Sequence, residues 1–421
     1  MRSNAAHSVG TIAQMPRISR LLFFSFSLTC AVAALARAEP PMDLLRADRS
    51  LLEAPHYAPS DAAKFPTTAP SVRAIFYDTK SWHGQPTKTF AWLGVPAHAA
   101  NEKLPAIVLV HGGGGTAFDQ WVKLWNDRGY AAIAMDLCGC VPLRVEGTKT
   151  WQRHDAGGPA GWDASFAQAD EPLADQWPYH AICDVMLAHS LLRSLPDVDA
   201  DRIGLTGISW GGYLACMVPA VDNRFRFSVP VYGCGFIDEC TWAPTLEKMP
   251  PASRQRWLDA WDPKHWLSDV TMPTLWVDGT NDTNYPLGPL MKSYRLTSGE
   301  RALCLTPRMR HGHGPGQTPE VIRAYADALL KDGPPLPKIT GFGRDGERAW
   351  ATFDARAKVT KAELHYTLDT GDWPKREWKA AAAEVSRDRA TARLPAGTRA
   401  YFINLIDDRG VAVSTEVEEV Q

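Results

Sequence analysis

A serine flanked by glycines is the residue of this sequence best suited to nucleophilic chemistry. Ser209 is the centre of the segment Gly-Ile-Ser-Trp-Gly at 207–211, between the apolar segments 202–206 and 212–218. A strand, a sharp turn and a buried helix are what a nucleophile elbow requires, because the turn lifts the serine hydroxyl above the sheet. Glycines two residues to either side let strand and helix approach without colliding Cβ atoms. Ser209 is therefore predicted to be a catalytic nucleophile.

Two loops downstream of Ser209 carry the acid and the base that a serine nucleophile needs. A serine hydroxyl is a poor nucleophile near neutral pH, so a base must take its proton and an acid must orient that base. Asp282 follows the apolar segment 274–277, and His311 follows the apolar segment 302–305. In this order, the acid lies in the loop after one strand, a helix follows, and the histidine lies in the loop after the next strand. Such an order brings both side chains to the edge of the sheet where the serine lies. We predict Asp282 as the acid and His311 as the base.

Both assignments have an alternative close by in the sequence. Asp278 ends the strand before Asp282, where its side chain would instead bond the backbone amides of the turn. His313 lies two residues beyond His311 and would contact substrate or be solvated. His311 is followed by Gly312, which would let its imidazole tip over the serine.

A glycine run at 112–115, after the unbroken apolar segment 106–110, is predicted to supply part of an oxyanion hole. Such a hole needs two fixed donors aimed at the developing charge. The backbone amides of Trp210 and Gly113 are the predicted donors. No Gly-Lys-Ser/Thr follows the run and no dinucleotide or zinc motif is present, so neither a metal nor an organic cofactor is expected. The candidate substrate-binding residues are His111, Gly114, His313 and Trp242.

The elements that must position these residues alternate between strand and helix from residue 106 to residue 330. This alternation predicts a mostly parallel sheet with helices on both faces, preceded by an antiparallel strand pair at 74–77 and 89–95. Two stretches, 137–177 and 233–270, interrupt the pattern. Both leave the carboxyl end of a strand, the side where open α/β sheets bind ligands. We expect these two inserts to form the walls or lid of the pocket.

The chain, with 421 residues of which 45% are hydrophobic, is long enough for two domains. Residues 39–71 are predicted to be an irregular lead-in, and residues 72–332 to be the α/β catalytic domain. Residues 333–337 are a linker by composition. Short strand patterns separated by turns predict that residues 338–421 form a small β-sandwich of immunoglobulin or fibronectin type.

The amino terminus is typical of an export signal. Arg17 and Arg20 precede the apolar run 21–35, and small residues at 36–38 suit cleavage. The run is too short and too rich in serine for a stable membrane anchor. Removal of residues 1–38 takes away four arginines and no acids, so the formal net charge moves from −2 to −6. We expect a periplasmic or extracellular protein that has no electrostatic reason to bind nucleic acid.

The number of cysteines does not determine which of them, if any, form disulfides. Eight cysteines become seven without the signal, so at least one thiol stays unpaired. Cys234 and Cys240 are a candidate close pair for a disulfide in an exported protein.

Taken together, the elbow with Ser209, the glycine loop after His111, Asp282 and His311 resemble the α/β-hydrolase superfamily over about residues 72–330. The sequence is similar to the acetylxylan esterase, dienelactone hydrolase and prolyl oligopeptidase-like groups, in which a strand pair precedes the glycine loop. This resemblance implies hydrolysis of a carboxylic ester, or less often an amide, through an acyl-enzyme. Dienelactone hydrolases often carry Cys at the elbow and prolyl oligopeptidases begin with a propeller, and this chain has neither feature.

Tryptophans are concentrated around the predicted site. Eleven of the sixteen lie between Trp121 and Trp276, several of them in the two inserts. Indoles stack on the apolar faces of sugars, although core packing is the competing explanation for any one tryptophan. We therefore expect an exported serine esterase acting on short-chain, acetyl esters of a small-molecule or polysaccharide carbohydrate. A serine peptidase and a non-catalytic carbohydrate-binding protein are the alternatives.

Overall fold

A nine-stranded sheet carries the elements of the predicted site. The computed structural model describes residues 40–61 and 63–420, so the predicted signal at 1–38 lies outside the described residues. The strand order is β1-β2-β3-β5-β4-β8-β9-β10-β11. The strands from the amino terminus to β11 are β1 Tyr57–Pro59, β2 Val72–Trp82, β3 Gln85–Gly94, β4 Leu104–Val110, β5 Ala131–Met135, β6 Cys140–Arg144, β7 Trp151–Arg153, β8 Val198–Ile208, β9 Ser228–Val231, β10 Thr274–Gly279 and β11 Arg301–Thr306.

The centre of this sheet is parallel, as the alternation of strands and helices predicts. Every residue of β4 is buried, because helices cover both faces of a parallel sheet. The registers pair Val110 with Gly207 and Val277 with Val231, so the carboxyl ends of β4, β8, β9 and β10 reach the same edge. The predicted leading pair is confirmed as β2 and β3, which are antiparallel.

Nine helices accompany the strands in the described part of the chain. They are α1 Pro41–Ala47, α2 Asp119–Asn126, α3 Trp177–Ser194, α4 Trp210–Val221, α5 Ala243–Glu247, α6 Pro251–Trp261, α7 Leu287–Leu296, α8 His313–Gln317 and α9 Glu320–Leu330. Helices α3 and α4 are buried along almost their whole length. Within the described ranges, no helix is long and apolar enough to cross a membrane.

The lead-in at 39–71 is more ordered than its sequence suggests. Pro41 starts α1, at a position where proline suits a helix, and strand β1 pairs with β2. Leu45 and Leu51 are buried, and the Ser190 hydroxyl of α3 donates to the Leu51 carbonyl at 2.7 Å. These buried residues are too few and too widely spaced to give the periodic apolar pattern from which a helix is predicted.

The two inserts lie at the carboxyl edge of the sheet. The first holds the hairpin β6–β7 and 3-10 turns at Trp162–Gln168 and Leu173–Asp175. The second holds α5 and α6 with further 3-10 turns. Asp262 of the second insert is fully buried and accepts the amides of Phe236 and Ile237 at 2.8 and 3.0 Å. These bonds satisfy its carboxylate.

The carboxyl-terminal region is an antiparallel β domain, which confirms the predicted fold class. Its strands are β12 Lys338–Asp345, β13 Arg348–Asp354, β14 Val359–Thr367, β15 Lys379–Ser386, β16 Arg389–Arg393, β17 Ala400–Asp407, β18 Ala412–Ser414 and β19 Glu418–Glu419. They pair in the order β12-β13-β16-β15-β14-β17-β18, with β19 beside β17. A separate apolar core, including Leu364, Ile403 and Leu405, lies within this domain.

The β domain packs against the last strand of the large sheet. Ser414 accepts the Leu305 amide through its hydroxyl oxygen at 2.7 Å, and Asn404 donates to the Leu305 carbonyl at 3.2 Å. The Ser414 hydroxyl donates in turn to the Asn404 carbonyl oxygen at 2.6 Å. Both backbone groups of Leu305 are therefore satisfied by side chains of the other domain.

The seven cysteines of the described residues are free thiols. The sulfur atoms of Cys234 and Cys240 lie 3.9 Å apart in a buried position. The candidate pair is thus adjacent and reduced.

Candidate active site

Ser209 occupies the turn between β8 and α4, with a φ of 60° and a ψ of −118°. This region of backbone conformation costs free energy for a residue with a Cβ, and such strain is typical of functional positions. Two backbone bonds hold Ser209 there: its amide donates to the Val231 carbonyl, and the Tyr213 amide donates to the Ser209 carbonyl, both at 2.8 Å. The hydroxyl consequently has a fixed position above the sheet.

The glycines of the elbow are required by close backbone contacts. A Cβ at Gly207 would lie 2.0 Å from the Gly211 carbonyl oxygen, and a Cβ at Gly211 would lie 2.0 Å from the Val110 carbonyl oxygen. Separations this short are well inside van der Waals contact. Any side chain at either position would push α4 away from the sheet.

Ser209, His311 and Asp282 form a continuous hydrogen-bonded relay. His311 Nε2 lies 2.8 Å from Ser209 Oγ, and His311 Nδ1 lies 2.6 Å from Asp282 Oδ2. The other Asp282 oxygen, Oδ1, accepts the amides of Asn284 and Tyr285, each at 2.8 Å. The carboxylate is thus held on one side by the backbone and faces the imidazole on the other. This geometry suits a nucleophile, a base and an orienting acid.

Asp278 does not face the histidine. Its Oδ1 accepts the Gly279 amide at 2.6 Å, and its Oδ2 is buried without a partner among the described residues. Burial, together with the nearby charge of Asp282, raises the pKa of Asp278 well above its usual value. Asp278 is therefore a neutral acid that supports the end of β10.

His313 packs among aromatic side chains and is not hydrogen-bonded to Ser209. Its ring lies 4.0 Å from the ring of Phe118 and 4.8 Å from that of Trp121, measured between centroids. Both of its nitrogens are buried, and burial lowers the pKa of His313 to about 4. The structure therefore places His313 in an aromatic cluster, where both ring nitrogens are shielded from solvent and hydrogen-bond no other described residue.

Two backbone amides beside Ser209 are free to bind an anion. Within the described residues, neither the Trp210 amide nor the Gly113 amide donates to a protein acceptor. Trp210 is the first residue of α4, where the helix dipole adds positive potential. A Cβ at Gly113 would lie 2.8 Å from the Trp210 ring, so only glycine fits there. Gly114 follows with a φ of 69° and turns the loop back.

His111 supports this glycine loop from beneath. Its Nδ1 donates to the Gly112 carbonyl at 3.0 Å and its Nε2 accepts the Leu137 amide at 3.3 Å. Burial lowers the pKa of His111 to about 4, so the ring is neutral. With 1% of its surface exposed, His111 lies out of reach of a bound substrate. Its candidate role in substrate binding is replaced by one in holding the loop.

Aromatic rings from both inserts surround the oxyanion region. The Trp210 ring lies 5.6 Å from Trp177, 6.2 Å from Phe166 and 4.7 Å from Trp242. Trp242 is 5% exposed and donates through Nε1 to Asp163 at 2.7 Å. It is a wall of the site and offers no open face to a sugar.

Most insert tryptophans belong to the core. Trp177, Trp257, Trp261 and Trp266 are at most 1% exposed. Trp151 and Trp162 remain half-buried. Among the insert indoles, only these two keep a face that a sugar could reach.

Two tyrosines near His311 were not identified from the sequence. The Tyr285 ring stacks on the His311 ring with centroids 6.3 Å apart, and the Tyr232 ring lies 4.7 Å from it. The Tyr232 hydroxyl donates to the Arg310 carbonyl at 2.8 Å, next to the histidine. Tyr232 directly follows β9, and the position after a central strand was the available signal.

The residues that the structure describes contain no group of three or more His, Cys, Asp or Glu placed to hold a metal ion. The relay and the two free amides are the groups that the site offers to a substrate.

The chain matches a known family over more than half its length. Residues 53–282 match the family model described as acetyl xylan esterase (AXE1). This range includes Ser209 and Asp282 and ends before His311. The comparison with curated proteins finds no match.

Two solved structures share the fold. The acetyl xylan esterase from Paenibacillus sp. R4 has a TM-score of 0.54 and 21% identity, with 69% of this chain and 93% of that chain covered. Acetyl xylan esterase 1 from Thermoanaerobacterium sp. JW/SL YS485 has a TM-score of 0.51 and 16% identity, with 69% of this chain and 93% of that chain covered. Both support the α/β-hydrolase fold predicted from the sequence. The family match shows that the chain belongs to the acetyl xylan esterase (AXE1) family of α/β-hydrolases and is a serine carboxylic ester hydrolase.

Proposed function

We propose that this protein is an exported carbohydrate esterase that removes short acyl groups, chiefly acetyl, through an acyl-enzyme on Ser209. The observation that carries the proposal is the relay from Ser209 to His311 to Asp282, with heavy-atom separations of 2.8 and 2.6 Å. Membership of the acetyl xylan esterase family supports an acetylated sugar as the substrate class.

The relay performs each proton transfer of the reaction. Ser209 Oγ attacks the ester carbonyl carbon while its proton passes to His311 Nε2, and Asp282 stabilises the resulting imidazolium. The oxyanion accepts hydrogen bonds from the amides of Trp210 and Gly113. His311 then gives its proton to the leaving sugar oxygen, and the C–O bond breaks to leave the acyl-enzyme. Water repeats these steps to release the acid and free Ser209.

Trp162 is the side chain that we expect to limit the acyl group. The leaving oxygen must lie near His311 Nε2 to be protonated, so the acyl chain extends away from the histidine. On the oxyanion side, Trp162 Cγ would lie 3.8 Å from a Cβ at Gly113, and its ring is 6.4 Å from that of Trp210. Trp162 also has a φ of 58°, which is a strained conformation for a tryptophan. We therefore expect this indole to favour short acyl groups over long ones.

The test compares p-nitrophenyl acetate and acetylated xylan as substrates of the mature protein. Wild type is expected to release acetate from both, Ser209→Ala and His311→Ala to lose at least about a thousandfold in kcat, and His313→Ala to retain turnover. Faster cleavage of peptides than of acetyl esters would overturn the assignment, as would full activity of Ser209→Ala. Amino-terminal sequencing of protein expressed in an exporting host tests the location, with Glu39 expected as the first residue.

A further inference from the structure

We propose that Asn281 is a positioning residue through which the carboxyl-terminal β domain fixes the loop of the catalytic acid. The inference rests on the proposed role of Asp282, which follows Asn281 in the chain. The β domain begins at Lys338, beyond the family match at 53–282, and nothing in that match gives it a part in the reaction.

The Asn281 side chain donates both of its amide hydrogens across the domain boundary. Its Nδ2 lies 3.0 Å from the Pro374 carbonyl oxygen and 2.8 Å from the Arg376 carbonyl oxygen. Carbonyl oxygens only accept hydrogen bonds, so the amide must present its nitrogen to them. The orientation of Asn281 is thereby set by the β domain.

The segment that receives these bonds is itself braced. Residues 373–375 form a 3-10 turn, and the Arg376 guanidinium lies 3.6 Å from the centre of the Trp373 ring. Arg376 also donates through Nε to the Gly371 carbonyl at 3.0 Å and is 9% exposed. The turn therefore offers Asn281 a fixed anchor.

The Asn281 side chain is also linked by hydrogen bonds to the loop that leads to His311. The Thr280 hydroxyl donates to Asn281 Oδ1 at 2.8 Å, and the Thr280 oxygen accepts the Arg308 amide at 3.0 Å. Arg308 has a φ of 56° and lies three residues before His311. One polar path thus joins the β domain to the acid loop and to the turn that leads to the base.

A domain tether without catalytic effect would use the same contacts, so a matched control is needed. Asn404 also donates an amide across the boundary, to Leu305 near the end of β11, and is 4% exposed. None of its hydrogen bonds reaches the acid loop. Removing Asn404 should loosen the junction while leaving Asp282 in place.

The experiment uses the full-length protein with Asn281→Ala, Asn281→Asp and Asn404→Ala. It measures kcat and KM on p-nitrophenyl acetate, and the rate of Ser209 labelling by a fluorophosphonate, which needs the relay but no natural substrate. For both Asn281 variants we expect kcat and labelling to fall between about 10- and 100-fold with little change in KM. Asn404→Ala should lower the melting temperature and leave kcat, KM and the labelling rate unchanged.

Asn281 variants with wild-type kcat and labelling rates would overturn the inference, and so would an equal loss in Asn404→Ala. Failure of the proposed function has a different signature. There, wild type itself would not hydrolyse acetyl esters, while labelling would still report whether Asn281 sets the reactivity of Ser209.

Discussion

Replacing Asp282 by asparagine tests the direction of every hydrogen bond in the relay. Asp282 Oδ1 accepts two backbone amides, from Asn284 and Tyr285, at 2.8 Å each. An asparagine must keep its carbonyl oxygen there, since turning its NH₂ toward two N–H donors would leave both amides unsatisfied at about 1–3 kcal/mol each. The NH₂ group therefore takes the place of Oδ2 and donates to His311 Nδ1.

The consequence is the wrong tautomer of the base. With Nδ1 accepting a bond, the histidine proton moves to Nε2, which then faces Ser209 with a hydrogen and cannot take another. A base held in this tautomer costs about 10⁴ in kcat, or about 5 kcal/mol in the activation free energy. Because the two amide bonds survive, the free energy of unfolding should change by only about 1 kcal/mol.

Asp278→Asn is the matched control, because Asp278 lies at the end of the strand that leads to the loop of Asp282. The raised pKa of Asp278 keeps it protonated, so an amide replaces a neutral acid of the same shape, and kcat should stay within about threefold of wild type. The assay is hydrolysis of p-nitrophenyl acetate, with thermal unfolding followed in parallel. An Asp282→Asn enzyme within about tenfold of wild type, or an Asp278→Asn enzyme equally impaired, would refute this hydrogen-bond pattern.

Three individual contacts give further tests. Trp162 has a φ of 58°, a conformation that suits glycine. Trp162→Gly should relieve this backbone strain and raise kcat/KM for p-nitrophenyl octanoate relative to acetate by about tenfold or more; an unchanged ratio in a chain-length series, with folding checked by thermal unfolding, would show that Trp162 does not limit the acyl chain. A Cβ at position 211 would meet the Val110 oxygen at 2.0 Å. Gly211→Ala should accordingly abolish most activity, and wild-type kcat in this variant would contradict the close approach. Burial raises the pKa of Asp184 to about 7, so the folded state binds a proton that the unfolded chain releases, and stability is lost as the pH rises from about 4 to about 7. Asp184→Asn should remove this dependence and be more stable than wild type above about pH 7 by on the order of 1–4 kcal/mol, and parallel denaturation curves of the two proteins across that range would speak against a buried protonated carboxyl.

The elbow and the strand ends could be predicted from the sequence because their signals are local. The glycines around Ser209 and the apolar runs before each loop are required by backbone contacts that are part of this fold. The choice between Asp278 and Asp282 is harder to make from the sequence, since Asp278 lies at the end of β10 and Asp282 follows only four residues later. It depends on which carboxylate the turn aims at His311, a matter of backbone direction that spacing does not encode.

What the sequence could not supply comes from contacts between distant segments. Asn281 meets Pro374 only because the β domain folds back onto the acid loop. His111 and His313 are chemically able to bind a substrate, and only the packing around them shows that both rings are enclosed. Tryptophan counts likewise do not separate a buried indole from one that lines a pocket.

The contact between the β domain and Leu305 has a consequence for colloidal behaviour. A bare edge strand offers free amides and carbonyls to any passing chain and is a template for aggregation. The opposite edge of the sheet ends in β1, which is three residues long and closes with Pro59, a residue that cannot donate. Strand β11 has no proline or comparable break of its own, and Ser414 and Asn404 cover it instead. Removal of the β domain would therefore expose an unprotected edge strand, and we expect a chain truncated before β12 to aggregate in concentrated solution.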